Sequence, residues 1–445
     1  MLSLALASCA PVVMETERSV ATPVALPPMK IFSTPRATGP ARSNAEIARD
    51  FMDLTFNLES GRRIETFTRF EGPITVRLIE PAPGSISNDL DRLLVRLRRE
   101  ARIDISRVPA DGPASITIET VPQRSMRRAV PEAACFVVPR LSSWDAFRRN
   151  RRSPELDWTT LRVRNRVSIF IPTEAPPQEM RDCLHEELAQ ALGPLNDLYR
   201  LTDSVFNDDN FNTVLTGFDM LVLRTTYAPD LRSGMTRQQV AARLPTILNR
   251  LNPAGRLAAR EVPAAAPRAW VEAIETALGP RASEAQRVSA AKRAVGIARS
   301  EGWRDSRLAF SLYALGRLSL PSDPRLSLAS FLEAAEIYHN DPTARLQEAH
   351  VAMQLSAFAL SAGDSQAVLR IVEPQLAPAR QGENAALLAS LLMMKAEALA
   401  LQGRTEEARA ITAESLGWAR YGFGTEEVVR ARAAEIASLR PPEAS

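Results

Sequence analysis

The chain holds 445 residues, 45% hydrophobic and 24% charged, which is enough to bury a core and long enough for two or three domains. No stretch reaches the roughly eighteen consecutive apolar residues of a membrane-spanning helix, and persistent apolar periodicity excludes disorder throughout. A net charge of +3 is too small to argue for nucleic acid, and the three histidines (His185, His339 and His350) exclude many imidazole-based active sites.

In chain order, Met1 to Cys9 is apolar, then small, and ends in Leu6-Ala7-Ser8-Cys9. The pattern resembles the lipobox of bacterial lipoproteins. That resemblance implies cleavage ahead of Cys9 and acylation of its thiol. It also implies a cell-envelope location facing the periplasm, with the membrane touched through the lipid anchor only. The alternative is a frayed apolar terminus with a free thiol. Residues 10–43 follow as a Pro-rich segment with Pro11, Pro23, Pro27, Pro28, Pro35 and Pro40 among small residues, and are expected to form an extended linker.

A first domain is expected over residues 44–252. Ser43-Asn44 suits the cap of a helix over 45–56, and strand-like runs lie at 74–79, 114–119, 135–138 and 163–171. Leu90, Leu93, Leu94 and Leu97 are spaced for a helix between the first two strands. Such an order makes an α+β or α/β layered domain. The segment from Pro176 to Gly193 reads as a further helix, with proline in its first turn and glycine at its stop. Glu187 falls in the middle of that helix's apolar face, where a carboxylate is costly unless paired, hydrogen-bonded or protonated. Burial would raise its pKa, a common way to poise a general base, whereas a position at the rim would let the side chain reach water.

The helix resembles the active-site helix of zincin metallopeptidases, H-E-x-x-H-x-x-G with a third ligand three residues past the glycine. Glu187 and Gly193 match, but Glu186 and Gln190 stand at the two histidine positions, followed by Asn196-Asp197; His185 lies one residue out of register. Glu187 is therefore the candidate catalytic residue, and Glu186, Gln190, Asn196 and Asp197 are degenerate metal positions. With these donors no zinc and no cofactor are expected. Together with Ser204 to Asp208, Leu215 to Tyr227 and Leu231 to Met235, these motifs resemble the bacterial family known as domain of unknown function 2927, over about residues 44–252. That family brings no assigned activity.

Cys135 and Cys183 are the only cysteines besides Cys9, and an oxidising compartment permits a disulfide between them; two buried free thiols are the alternative. Residues 253–280, with Pro253, Pro263 and Pro267 among alanines, read as a linker. Residues 281–440 read as helices broken near Gly302, 321–324, 340–342, Gly363, 381–382 and Gly403. The Gly403 to Ala408 turn resembles that of a tetratricopeptide repeat, with a capping helix expected over Thr425 to Leu439.

The resulting expectation is an α+β zincin-like N-terminal domain plus an all-α, tetratricopeptide-like helical-hairpin C-terminal domain. Its function is expected to be non-catalytic: the zincin-like domain, aided by the helical repeats, binds a protein or peptide partner. The alternative is a metal-dependent hydrolase in which Glu187 serves as base beside atypical oxygen ligands.

Overall fold

The computed structural model describes residues 26–33, 39–131, 133–258 and 263–441. Cys9, the Leu6 to Cys9 motif and linker residues 10–25 and 34–38 lie outside the described residues.

The N-terminal region is an α/β layer built on one five-stranded sheet. In chain order it runs α1 (Asn44–Thr55), β1 (Ile74–Leu78), α2 (Gly84–Arg99), β2 (Ile105–Arg107), β3 (Ile116–Val121), α3 (Gln123–Ala129) and β4 (Phe136–Pro139). It continues through α4 (Trp144–Asn150), β5 (Val167–Pro172), α5 (Pro177–Leu192), α6 (Gly217–Thr226) and α7 (Arg237–Leu251). The strand order is β2-β1-β3-β5-β4, parallel except that β4 runs antiparallel to β5 at the edge. Strand β2 was not legible in the sequence, because only three residues pair and its Ile105, with Ile103 just before it, does not make a run.

Each element follows from local chemistry. The Ser43 hydroxyl and the Glu46 carboxylate form a reciprocal cap at the start of α1. In β5 every residue is buried, as expected of an inner strand covered on both faces. Val167, Ile169 and Ile171 enter the main core with Leu90, Leu94, Leu184 and Leu188, while Phe170 joins Trp144, Phe147 and Met126 on the opposite face.

The C-terminal region is all helical. It comprises α8 (Arg268–Leu278), α9 (Glu284–Ser300), α10 (Ser306–Ser319), α11 (Pro324–His339), α12 (Arg345–Ser361), α13 (Ser365–Val372), α14 (Leu376–Gln381), α15 (Ala385–Leu401), α16 (Thr405–Phe423) and α17 (Glu426–Ala437). Gly363 and Gly403 turn at φ +74° and +73°, the left-handed geometry that lets a helix stop without a Cβ clash.

Two expected linkers are partly structured. Residues 268–278 form α8, whose Trp270, Ala273, Ile274 and Ala277 are buried at helical spacing. The three prolines around it hid that periodicity. In the N-terminal segment, Phe32 stacks on Trp418 at 4.5 Å, and the backbone N–H of Lys30 donates to the Gly417 carbonyl at 2.9 Å. Residues 26–33 thus lie along α16 instead of running free.

The helical region packs directly on the α/β region. Gln178 of α5 donates to Asn384 at 3.1 Å and accepts from the Ala386 N–H at 2.9 Å. Arg181 donates to the Glu383 carbonyl at 2.8 Å, and the Tyr421 hydroxyl donates to Asp89 of α2 at 2.9 Å.

Candidate functional site

Helix α5 crosses between the sheet and the helical hairpins, and its placement is fixed at both ends. At its C-terminus the buried Arg164 guanidinium donates to the carbonyls of Gln190 (2.6 Å), Ala191 (2.8 Å) and Gly193. A cation on the last carbonyls satisfies groups that a helix leaves unpaired and complements its dipole. Burial pulls the Arg164 pKa down to about 10, so the group stays charged at neutral pH. Gly193 permits a close approach: a Cβ there would sit 3.0 Å from the tip of the Leu223 side chain of α6, which would have to give way by a few tenths of an ångström. Midway along the helix, Cys183 is bonded to Cys135 beside β4, with Cα atoms 6.0 Å apart.

Between α5 and the β4 edge lies a cleft of about 600 Å³. Its walls include Cys135, Phe136, Trp158, Glu187, Asp197 and Asp208. Of the positions singled out in the sequence, Glu186, Glu187, Gln190 and Asp197 meet here. Asn196 does not: its amide donates to the Asp53 carbonyl at the end of α1, 3.0 Å away. Asp197 turns inward instead and accepts from Gln190 Nε2 at 3.4 Å. His185 lies on the far side of α5, where its Nδ1 accepts from the Leu215 N–H at 3.0 Å. Burial, and then Arg96, Arg181 and Arg92, hold His185 neutral.

Three contributors were missed. Glu59 arrives from the loop after α1, and no local pattern marked it. Asp208 sat within a family motif without a role. Tyr199 shares a hydrogen bond with Asp208, and its ring meets Trp270 of α8 edge-on at 4.9 Å. The motif itself has a structural reason. Asp219, fully buried, caps α6 and accepts from Ser204 Oγ (2.5 Å), the Val205 N–H (3.2 Å) and the Thr216 N–H (2.8 Å). It thereby pins the start of the loop that delivers Asp208.

Five carboxyl groups therefore share one wall. Burial first, and then mutual repulsion, push Glu59 up to about 6 and Glu186 up to about 7. Glu187 and Asp197 rise well above the ordinary carboxylate range for the same reasons. Such groups hold protons in the folded chain that the unfolded chain has lost. Between about pH 4.5 and 7, stability therefore falls as pH rises. In chelator-treated protein, the loss from pH 5.5 to 8 is expected to be on the order of 2 kcal/mol, and Asp197→Asn should flatten the profile. Melting curves across that range check this; a midpoint that climbs with pH would contradict it.

The zincin resemblance implies zinc, and the residues present do not fit it. A catalytic zinc site takes about three nitrogen, sulfur or carboxylate donors around an open position. Here one of the three positions is spent on the Asp53 carbonyl and another is a neutral amide.

Comparison with known proteins gives one match. The family model described as "Protein of unknown function (DUF2927)" matches residues 44–246, which is the α/β region almost end to end. No curated protein and no solved structure matches the chain.

Proposed function

We propose that this chain is a non-catalytic lipoprotein of the bacterial cell envelope, whose degenerate zincin-like cleft binds an extended segment of a protein or peptide partner. One observation carries the reading. Among the described residues, strand β4 is paired on one side only, with β5, and Cys135, Phe136 and Val137 at this edge border the cleft. An extended peptide satisfies such an edge by adding a strand, with alternate side chains entering the pocket. The helical hairpins, tetratricopeptide-like in their Gly363 and Gly403 turns, pack against α5 and would offer the partner further surface. The envelope location is supported by Leu6-Ala7-Ser8-Cys9 and by the Cys135–Cys183 bond, since disulfides persist in oxidising compartments.

A second reading is a metal-dependent hydrolase with Glu187 as general base. It is favoured by one feature, a carboxyl group buried in the cleft wall whose pKa burial has raised. One experiment separates the two. A photo-crosslinking residue at the exposed Ala134, introduced in the source bacterium, is expected to trap a discrete partner, and palmitate label should vanish with Cys9→Ser. The purified chain should leave unfolded casein intact with or without Glu187→Gln. Proteolysis that Glu187→Gln abolishes would replace the binding reading with the hydrolase.

A further inference from the structure

We propose that Glu59, Asp197 and Asp208, with Glu186 beside them, bind one hard divalent cation of calcium's size at the mouth of the α5 cleft. The proposal deepens the cleft reading above and rests on it for the partner's access to the ion. One carboxylate oxygen from each of Glu59, Asp197 and Asp208 can lie within 4.8 Å of the others. That lies inside the roughly 5 Å that oxygens 2.3–2.6 Å from a Ca²⁺ ion can span, and side chains from irregular loops suit calcium's flexible shell better than the near-ideal octahedron that Mg²⁺ demands. Glu59 comes from the connection after α1, whereas Asp197 and Asp208 stand well apart on the long connection between α5 and α6. Their convergence is a product of the fold and not of one acidic stretch.

A second observation is independent of that spacing. Glu187 is only 4% exposed, and its Oε2 has no hydrogen-bond partner among the described residues; Asp197 Oδ1 is buried too, and the carboxyl of Asp197 can meet that of Glu59 only by sharing a proton or a cation. Both side chains line the same cavity. An unpaired buried carboxylate oxygen is costly, and either a proton or a cation removes the cost.

Neighbouring arginines do not supply that charge. Arg200 is held by Asp50 at 2.8 Å and Asp53 at 2.9 Å, Arg268 by Glu272 at 3.1 Å and Glu275 at 3.2 Å, and Arg307 by Asp305 at 2.7 Å. Glu275 on α8 adds further negative potential toward Glu59 and Asp208. Tyr199 and Gln190 hold Asp208 and Asp197 in place through hydrogen bonds. An all-oxygen donor set suits a hard cation and disfavours zinc. Three or four protein oxygens leave part of the calcium shell for water, or for a carbonyl or carboxylate of a peptide lying along β4.

Isothermal titration of the EGTA-stripped full chain with CaCl₂ alone, at pH 7.5 in two buffers of different ionisation heat, tests this. One ion per chain is expected, with Kd on the order of 10⁻⁵–10⁻³ M and release of protons from the cluster. Asp197→Asn and Asp208→Asn should each weaken binding at least about tenfold, while Asp230→Asn, a half-buried carboxylate paired with Arg250 outside the cleft, leaves it unchanged. Both cluster variants relieve repulsion and should keep the wild-type circular dichroism. If either does not, Tb³⁺ luminescence sensitised by Tyr199 and Trp158 in the unaltered chain, quenched by Ca²⁺, gives the same answer. No heat and no quenching up to 10 mM CaCl₂ overturns the proposal, as do tighter binding of Mg²⁺ and affinity unchanged in both variants. Crosslinking at Ala134 without calcium binding removes the ion alone; calcium binding without a crosslink keeps the ion and removes the peptide partner.

Discussion

Replacing Arg164 with leucine is expected to destabilise the protein by about 3–5 kcal/mol, because three buried carbonyls lose a charged donor at about 1–3 kcal/mol each. Its guanidinium donates to three carbonyls at the end of α5, and its Nε lies 3.3 Å from the Thr68 hydroxyl. Leucine would leave those carbonyls buried without donors, and its smaller volume would leave a gap beside Trp158, over whose ring the guanidinium sits at 5.2 Å. Arg164→Lys should recover only part of the loss, because an ammonium cannot span three acceptors in one plane. Urea unfolding followed by circular dichroism measures both variants. A cost below about 1 kcal/mol for the leucine variant would show that α5 is held without this cap.

Opening the Cys135–Cys183 bond should have an effect of similar size. The bond closes a loop of sequence separation 48, worth up to about 4 kcal/mol in the chain-entropy model. Paired alanine substitutions, or reduction of the unaltered chain, should therefore lower the unfolding free energy by up to that amount and bring the midpoint down with it. Binding should respond as well, since the bond ties the β4 edge to α5 across the cleft. Crosslinking from Ala134 is expected to fall several-fold in the alanine pair. An unchanged midpoint with two free thiols in the starting protein would mean that the bond does not form.

The sequence by itself determined strands β1, β3, β4 and β5, most of the long helices and the helix that floors the cleft. It did so because these features rest on local chemistry. Ser43 and Glu46 can only cap a helix start, Pro177 and Gly193 bracket α5, and β-branched runs bounded by turns give strands β1, β3 and β5. Departure from the zincin pattern at 186 and 190 was legible for the same reason, since helical spacing alone decides which side chains share a face. Helix α8 was obscured because its flanking prolines and alanines carry a stronger local signal than its one buried face.

Tertiary structure alone decided the membership of the carboxylate wall. Glu59, Asp197 and Asp208 lie on loops, and loop direction is set by what the loop packs against instead of by a period. The turn that spends Asn196 on the Asp53 carbonyl swings Asp197 inward, and no one-dimensional pattern distinguishes those neighbouring residues. The cap on α5 was hidden likewise, because Arg164 meets its acceptors only once β5 and the helix lie side by side. Local periodicity fixes which face a side chain shares along one element; which carboxylates become neighbours depends on contacts between elements far apart in the chain.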